Sequence, residues 1–214
     1  GGKTYAENRE AGAQRSRAAI MMEMALPGSA YIYQGEELGL FEVPDIPWDR
    51  LEDPVASNTR HSELNKGRDG CRVPLPWTAG NMDSFGFSPA HSAAPPHLPQ
   101  PAWFKDFAVD SEEQDSTSML NFYRRVLRLR HKLQCSVTSL EWLDEDMPSG
   151  RPDGADGLEG GVIAYRRANG WASVTNFSSS PAKLPSGDVI LTSSRLEDDG
   201  SPPQDTTAWV MLKQ

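Results

Sequence analysis

Apolar residues crowd the stretch 13–26, where Ala18, Ala19, Ile20, Met21, Met22, Met24 and Leu26 are interrupted only by Glu23. Such a nearly all-round apolar surface predicts a helix packed on a sheet rather than a free amphipathic one. Pro27-Gly28 ends it. The next run, Ser29-Ala30-Tyr31-Ile32-Tyr33, is short and rich in β-forming residues. Its continuous hydrophobicity predicts a strand buried on both faces, as in a parallel sheet. Helix, tight turn and buried strand in that order form an α/β repeat.

Residues 40–115 lose all periodicity and hold ten prolines, from Pro44 to Pro101. Few regular elements survive that density. Trp48, Trp77, Phe85, Phe87, Trp103, Phe104 and Phe107 supply anchors that disordered tracts lack, so an ordered loop packed over a site is expected. Residues 116–133 then give the clearest helix. Met119, Phe122, Val126, Leu129 and Leu133 recur at helical spacing, and Ser116 or Asp115 is placed to cap it. Its basic residues, Arg124, Arg125, Arg128, Arg130 and Lys132, suit a solvated face near a helix C-terminus.

Beyond residue 137 the pattern becomes short β-type runs: Thr138–Trp142, Gly161–Arg167, Trp171–Asn176, Asp188–Thr192 and Thr207–Leu212. Turn clusters separate them, including Pro148-Ser149-Gly150, Asp153-Gly154, Asn169-Gly170 and Asp199-Gly200. Ala168-Asn169-Gly170 between two runs is a hairpin signal. The expected organisation is an α/β part over residues 1–136 and an antiparallel β domain over 137–214.

Composition changes this picture little. With 21 Lys+Arg against 30 Asp+Glu, the net charge is −9, which argues against a nucleic-acid partner. No apolar run approaches the ~20 residues that span a bilayer, and no membrane association is expected. The 18 glycines and 17 prolines exceed the usual combined share of about 12% and point to many turns. The two cysteines, Cys71 and Cys135, make no metal-type spacing. A reducing, cytoplasmic setting is the default, and one bridge between them stays open. Gly1-Gly2-Lys3-Thr4 resembles the tail of a phosphate loop but lacks the upstream glycine, so an exposed loop, or a chain cut from something longer, is the better reading.

Candidate chemistry gathers in two places. Gln34-Gly35-Glu36-Glu37 follows the predicted strand, where α/β folds meet their ligands. The same acids could instead bond the backbone of a turn. As neighbours in an extended segment, Glu36 and Glu37 would point to opposite faces, which ill suits a glycosidase acid and nucleophile. The second cluster is Gly67-Arg68-Asp69-Gly70-Cys71-Arg72-Val73-Pro74-Leu75-Pro76-Trp77. Its guanidinium groups suit hydroxyl-rich ligands or carboxylates, or else staple the loop to an aspartate. His61, His91, His97 and His131 form no close ligand pair, so no metal is expected.

The segment Leu26–Leu40, LPGSAYIYQGEELGL, resembles the eighth-strand region of α-glucosidases in glycoside hydrolase family 13, the α-amylase family. Residues 67–77 look like the loop that follows in the oligosaccharide-active branch. Phe85-Gly86-Phe87-Ser88, Leu98-Pro99-Gln100-Pro101 and the helix around Leu120-Asn121-Phe122-Tyr123-Arg124 extend the similarity in family order. The resemblance implies the C-terminal end of a (β/α)₈ TIM barrel (helix, strand eight, long loop, helix eight) followed by an antiparallel β-sandwich. It implies retaining cleavage or transfer of α-glucosyl groups by an aspartate nucleophile, a glutamate acid/base and a second aspartate. It places Arg68, Asp69 and Arg72 near the sugar-accepting mouth, gives Tyr33, Gln34, Glu36 and Glu37 shaping roles, and calls for no cofactor.

The family's catalytic motifs, including Asn-His-Asp after strand seven, are nowhere in the sequence. A barrel takes roughly 200 to more than 400 residues, more than residues 1–136 provide. The chain therefore reads as the C-terminal portion of an α-glucosidase acting on small α-glucosides or oligosaccharides, inactive alone and with no catalytic residue of its own. A glucosyl transferase or isomerase such as trehalose synthase is the alternative within the class. A carbohydrate-binding module is the alternative outside it.

Overall fold

A computed structural model describes residues 7–58, 66–80, 83–134, 139–143 and 161–213. The Gly1–Thr4 segment, His61, Cys135, the turn clusters at 148–150 and 153–154, and the expected boundary at 136/137 lie outside those residues. The chain divides into two compact units: residues 1–7 with 32–123, and residues 8–31 with 124–214. No helix among the described residues is long and apolar enough to cross a membrane.

In the unit containing 8–31 and 124–214, helix α1 (Arg9–Ala25) starts earlier than the apolar pattern suggested. Asn8 explains this, because its side chain accepts a hydrogen bond from Ala11 N at 3.0 Å and caps the helix. Among the described residues five strands follow: β1 (Leu140–Trp142), β2 (Val162–Arg167), β3 (Trp171–Asn176), β4 (Gly187–Thr192) and β5 (Thr206–Leu212). They form one antiparallel sheet in the order β1-β2-β3-β5-β4. The hairpin expected at Ala168-Asn169-Gly170 joins β2 to β3, with Gly170 at φ +86°. The β-sandwich is not seen among the described residues. One face of the single sheet is covered by α1 instead of by a second sheet.

Central strand β3 is buried throughout. Its alternate residues serve two cores. Val174 joins Val162, Ala164 and Ala182 on one face. Trp171, Ser173 and Thr175 share the other face with Trp209 and Thr207, their neighbours on β5. That face bonds directly to the backbone of α1. Thr207 Oγ1 donates to Ala18 O at 2.7 Å, Trp209 Nε1 to Met21 O at 3.2 Å, and Tyr165 Oη to Met22 O. Burial pushes the Tyr165 phenol well above its ordinary value. Ala18, Met21, Met22 and Ala25 lie on one helical face, so the all-round apolar appearance of α1 reflects a helix laid on an antiparallel sheet.

The last turn of α1 contains no basic residue of its own. Cations from elsewhere in the unit cap its orphan carbonyls. Arg167 Nη1 donates to Ala25 O at 2.6 Å. Arg130 reaches Met24 O, Leu26 O at 3.0 Å and Gly28 O at 2.6 Å. Gln134 Nε2 adds bonds to Met24 O and Leu26 O. This satisfies the helix end and complements its dipole.

The unit holding residues 32–123 is built mostly from loops and short turns. Its core is Val43, Ile46, Val73, Phe85, Leu98 and Phe104, with Leu40, Leu51 and Trp103 against it. Within the described part of the proline-rich stretch, Phe41, Trp103, Phe104 and Phe107 make edge-to-face contacts. Trp77 and Phe87, read as anchors, are half exposed instead. Among the described residues two short α-helices interrupt the loop, α2 (Pro54–Asn58) and α3 (Val109–Gln114).

Helix α4 (Met119–Gln134) matches the amphipathic pattern but not its expected cap. Ser118 Oγ accepts from Asn121 N at 3.1 Å, and Glu112 accepts from Leu120 N at 2.8 Å. Asp115 instead bonds Thr117 in the preceding turn.

The predicted strand Ser29–Tyr33 is not a strand in the structure. Tyr31 is 85% exposed and Tyr33 49%. A parallel strand exists only through ladder bonds to its neighbours, and Ala30, Tyr31 and Ile32 have none among the described residues.

Candidate functional site

The Gln34–Glu37 segment folds as a tight turn. Gly35 (φ +95°) and Gly39 (φ +63°) bracket a 3₁₀ turn over Glu36–Leu38, and the buried Leu38 pins it. Glu36 accepts from Tyr33 N at 3.1 Å, and Glu37 from Gly35 N at 2.8 Å. Each acid therefore uses one oxygen on the turn itself. The turn-stabilising reading thus holds geometrically, and it leaves the second oxygen of each carboxylate for other work.

Beside this turn lies a cleft of about 180 Å³, lined by Tyr33, Gln34, Gly35, Glu36, Leu40, Phe41, Glu42, Gly70, Cys71, Val73, Leu75 and Phe104. It draws together the two sequence clusters, which lie thirty residues apart at their nearest. Gly70 is required for this approach: a Cβ there would fall 2.6 Å from Glu42 Cγ and 2.8 Å from Val43 O. Cys71 is exposed, and its thiol donates to Arg68 O at 3.0 Å. Glu37, Arg68, Asp69 and Arg72 do not line the cleft, although the last three flank Gly70 and Cys71 in sequence.

Those three residues are organised by a carboxylate that sequence reasoning passed over, Asp53. It is buried and caps α2 by accepting from Val55 N at 3.0 Å. Its Oδ2 accepts from Arg68 N at 3.2 Å, Arg68 Nε at 3.1 Å and Arg72 Nη1 at 3.2 Å. Asp69, also buried, accepts from Glu52 N at 2.6 Å and Asp53 N at 2.8 Å, and lies 3.6 Å from Arg72 Nη1. The Val55 amide, followed by the bonds from Arg68, holds the Asp53 carboxyl below its ordinary range despite desolvation. The signal available in the sequence was Asp53-Pro54, an N-cap residue followed by proline at the first helical position. Asp69 is thus a framework residue, whereas Arg68 and Arg72 keep 70% and 37% of their side chains exposed.

The arrangement can present hydrogen-bond donors and acceptors to a polar ligand. Among the described residues no three His, Cys, Asp or Glu side chains gather to hold a metal.

Comparison with known proteins bears on the family of the chain. The catalytic-domain model of the alpha-amylase family matches residues 3–138. A probable alpha-glucosidase of Rhizobium meliloti is 39% identical over 107 residues, covering 50% of this chain and 18% of that protein. A probable oligo-1,6-glucosidase of Bacillus subtilis is 29% identical over 131 residues, covering 55% of this chain and 23% of that one. The chain thus spans less than a quarter of the length of these relatives. Among solved structures, the alpha-glucosyl transfer enzyme XgtA is 27% identical with a TM-score of 0.69, covering 94% of this chain and 36% of its own. The trehalulose synthase MutB of Pseudomonas mesoacidophila, 19% identical with a TM-score of 0.70, covers 94% of this chain and 38% of its own and shares the fold. With its catalytic-domain match extending over more than half of its length, the chain belongs to the alpha-amylase family.

Proposed function

We propose that this chain supplies part of a retaining α-glucosidase that cleaves terminal α-glucosidic bonds of small oligosaccharides. Residues 1–136 belong to its barrel and 137–214 to its C-terminal β domain. In this reading the turn at Tyr33–Glu37 and the loop at 67–77 shape the sugar-accepting mouth, and Arg68 and Arg72 donate hydrogen bonds to hydroxyl groups. Bond cleavage needs two carboxyl groups, one protonating the leaving oxygen and one attacking the anomeric carbon. The proposal puts both outside these 214 residues, since the family's motifs for them are missing from the sequence.

The observation that carries the reading is the 39% identity, over 107 residues, to the probable alpha-glucosidase of Rhizobium meliloti. A chimera tests it, with the matched segment of that enzyme replaced by the corresponding residues of this chain. Release of p-nitrophenol from p-nitrophenyl α-glucoside is expected. A chimera that melts like its parent yet shows no turnover would overturn the proposal.

A transferase or isomerase is the second reading, favoured by the 27% identity to an alpha-glucosyl transfer enzyme over nearly the whole chain. Chromatography of products formed by the chimera from maltose separates the two. Glucose alone supports hydrolysis, and new disaccharides support transfer.

A further inference from the structure

Arg68 and Arg72 share a counter-charge arrangement that bears on which ligands they accept. Arg68 lies 3.1 Å from the buried Asp53, and Arg72 lies 3.2 Å from Asp53 and 3.6 Å from the buried Asp69, so these two guanidinium groups and two carboxylates sum to no net charge. The carboxylates are also committed to backbone amides of Glu52, Asp53, Val55 and Arg68. They are fixed, and they fix the arginines in turn. Gly67 (φ +83°) lies so close to Asp53 that a Cβ would meet its Cβ and Cγ at 2.7 Å. Arg68 uses its Nε on Asp53, and its terminal nitrogens have no partner among the described residues.

We propose that Asp53 is a positioning residue that makes Arg68 and Arg72 a charge-compensated donor pair, suited to hydroxyl groups of neutral sugars and selecting against phosphorylated ones. An anion binds an arginine pair through uncompensated positive charge, which must offset the loss of its own hydration. Here that attraction is cancelled by two carboxylates already in place. A hydroxyl group needs only an oriented N–H donor, and the bond to Asp53 supplies the orientation. Asp53→Asn keeps the shape and removes one negative charge, so it both loosens the guanidinium groups and opens the site to anions. The proposal rests on reading this loop as a sugar-accepting mouth and narrows the class of sugar.

The test follows the arginine Nε–H resonances of the 214-residue chain by NMR during titration with maltose and with maltose 1-phosphate. In the wild type, maltose shifts the Arg68 and Arg72 signals, and maltose 1-phosphate binds roughly tenfold more weakly, about one charge-assisted hydrogen bond. Asp53→Asn should weaken maltose and strengthen maltose 1-phosphate, narrowing or reversing the ratio. Arg68→Gln, a change at an exposed side chain, should remove most of the maltose response and keeps the proposal testable if Asp53→Asn does not fold. The idea fails if the phosphorylated sugar binds the wild type as well as maltose does, if maltose shifts neither arginine, or if Asp53→Asn leaves the ratio unchanged. No turnover is read, so an inactive chimera would count against the proposed function without touching this result.

Discussion

Asp53 illustrates how one buried carboxylate organises a loop. It caps a short helix, bonds two arginines and sits against a glycine that leaves it room. Its pKa is depressed in the folded state, so the unfolded chain binds the proton more tightly and stability rises with pH across that window. The contribution is complete above the unfolded value of about 3.9 and is lost as pH falls through the lower folded value. Urea midpoints measured from pH 7 down to pH 2 should therefore show Asp53→Asn less stable than wild type at neutral pH. The gap should close in acid; a gap independent of pH would contradict this account. Gly67→Ala combines a left-handed φ with a contact of 2.7 Å and should cost roughly 1–3 kcal/mol in the same experiment. The sequence marks Arg68, Asp69 and Arg72 as a charged cluster, but not which aspartate holds them. The deciding bonds cross 15 to 19 residues of chain.

At the scale of elements, the ends of helices depend on partners distant in sequence. Arg130 reaches three carbonyls more than a hundred residues away, at the end of a helix with no basic residue in its last turn. Arg130→Ala should cost roughly 2 kcal/mol, since bonds from a charged donor and the dipole interaction go together. Amide exchange should rise first near Leu26. Arg130→Lys should recover only part, because an ammonium cannot span carbonyls as the planar guanidinium does. Ser118→Ala removes the cap of α4 and should cost about 1 kcal/mol by urea denaturation. Both helices were legible because apolar residues recur along them, and the β2–β3 hairpin because its turn residues are local. The Ser29–Tyr33 strand was misjudged for a related reason. Its residues favour extended backbone, but a strand also needs neighbours that composition does not report.

At the scale of the molecule, family membership and the missing catalytic motifs lead to one expectation. The purified 214-residue chain should release no p-nitrophenol from p-nitrophenyl α-glucoside; clear turnover would show that acid and nucleophile lie within it. What the sequence determined by itself is whatever depends on near neighbours: an apolar helix and an amphipathic one, the hairpin, the turn from strand-like run to Gln34–Glu37, and motifs specific enough to place the chain in its family. Tertiary structure alone decided that α1 lies on an antiparallel sheet, that Asp53 commands the arginines, and that residues 33–36 and 70–71 line one cleft. The physical reason is range. Periodicity and capping act over about one helical turn, whereas a buried carboxylate or an orphan carbonyl takes whatever partner the fold brings to it.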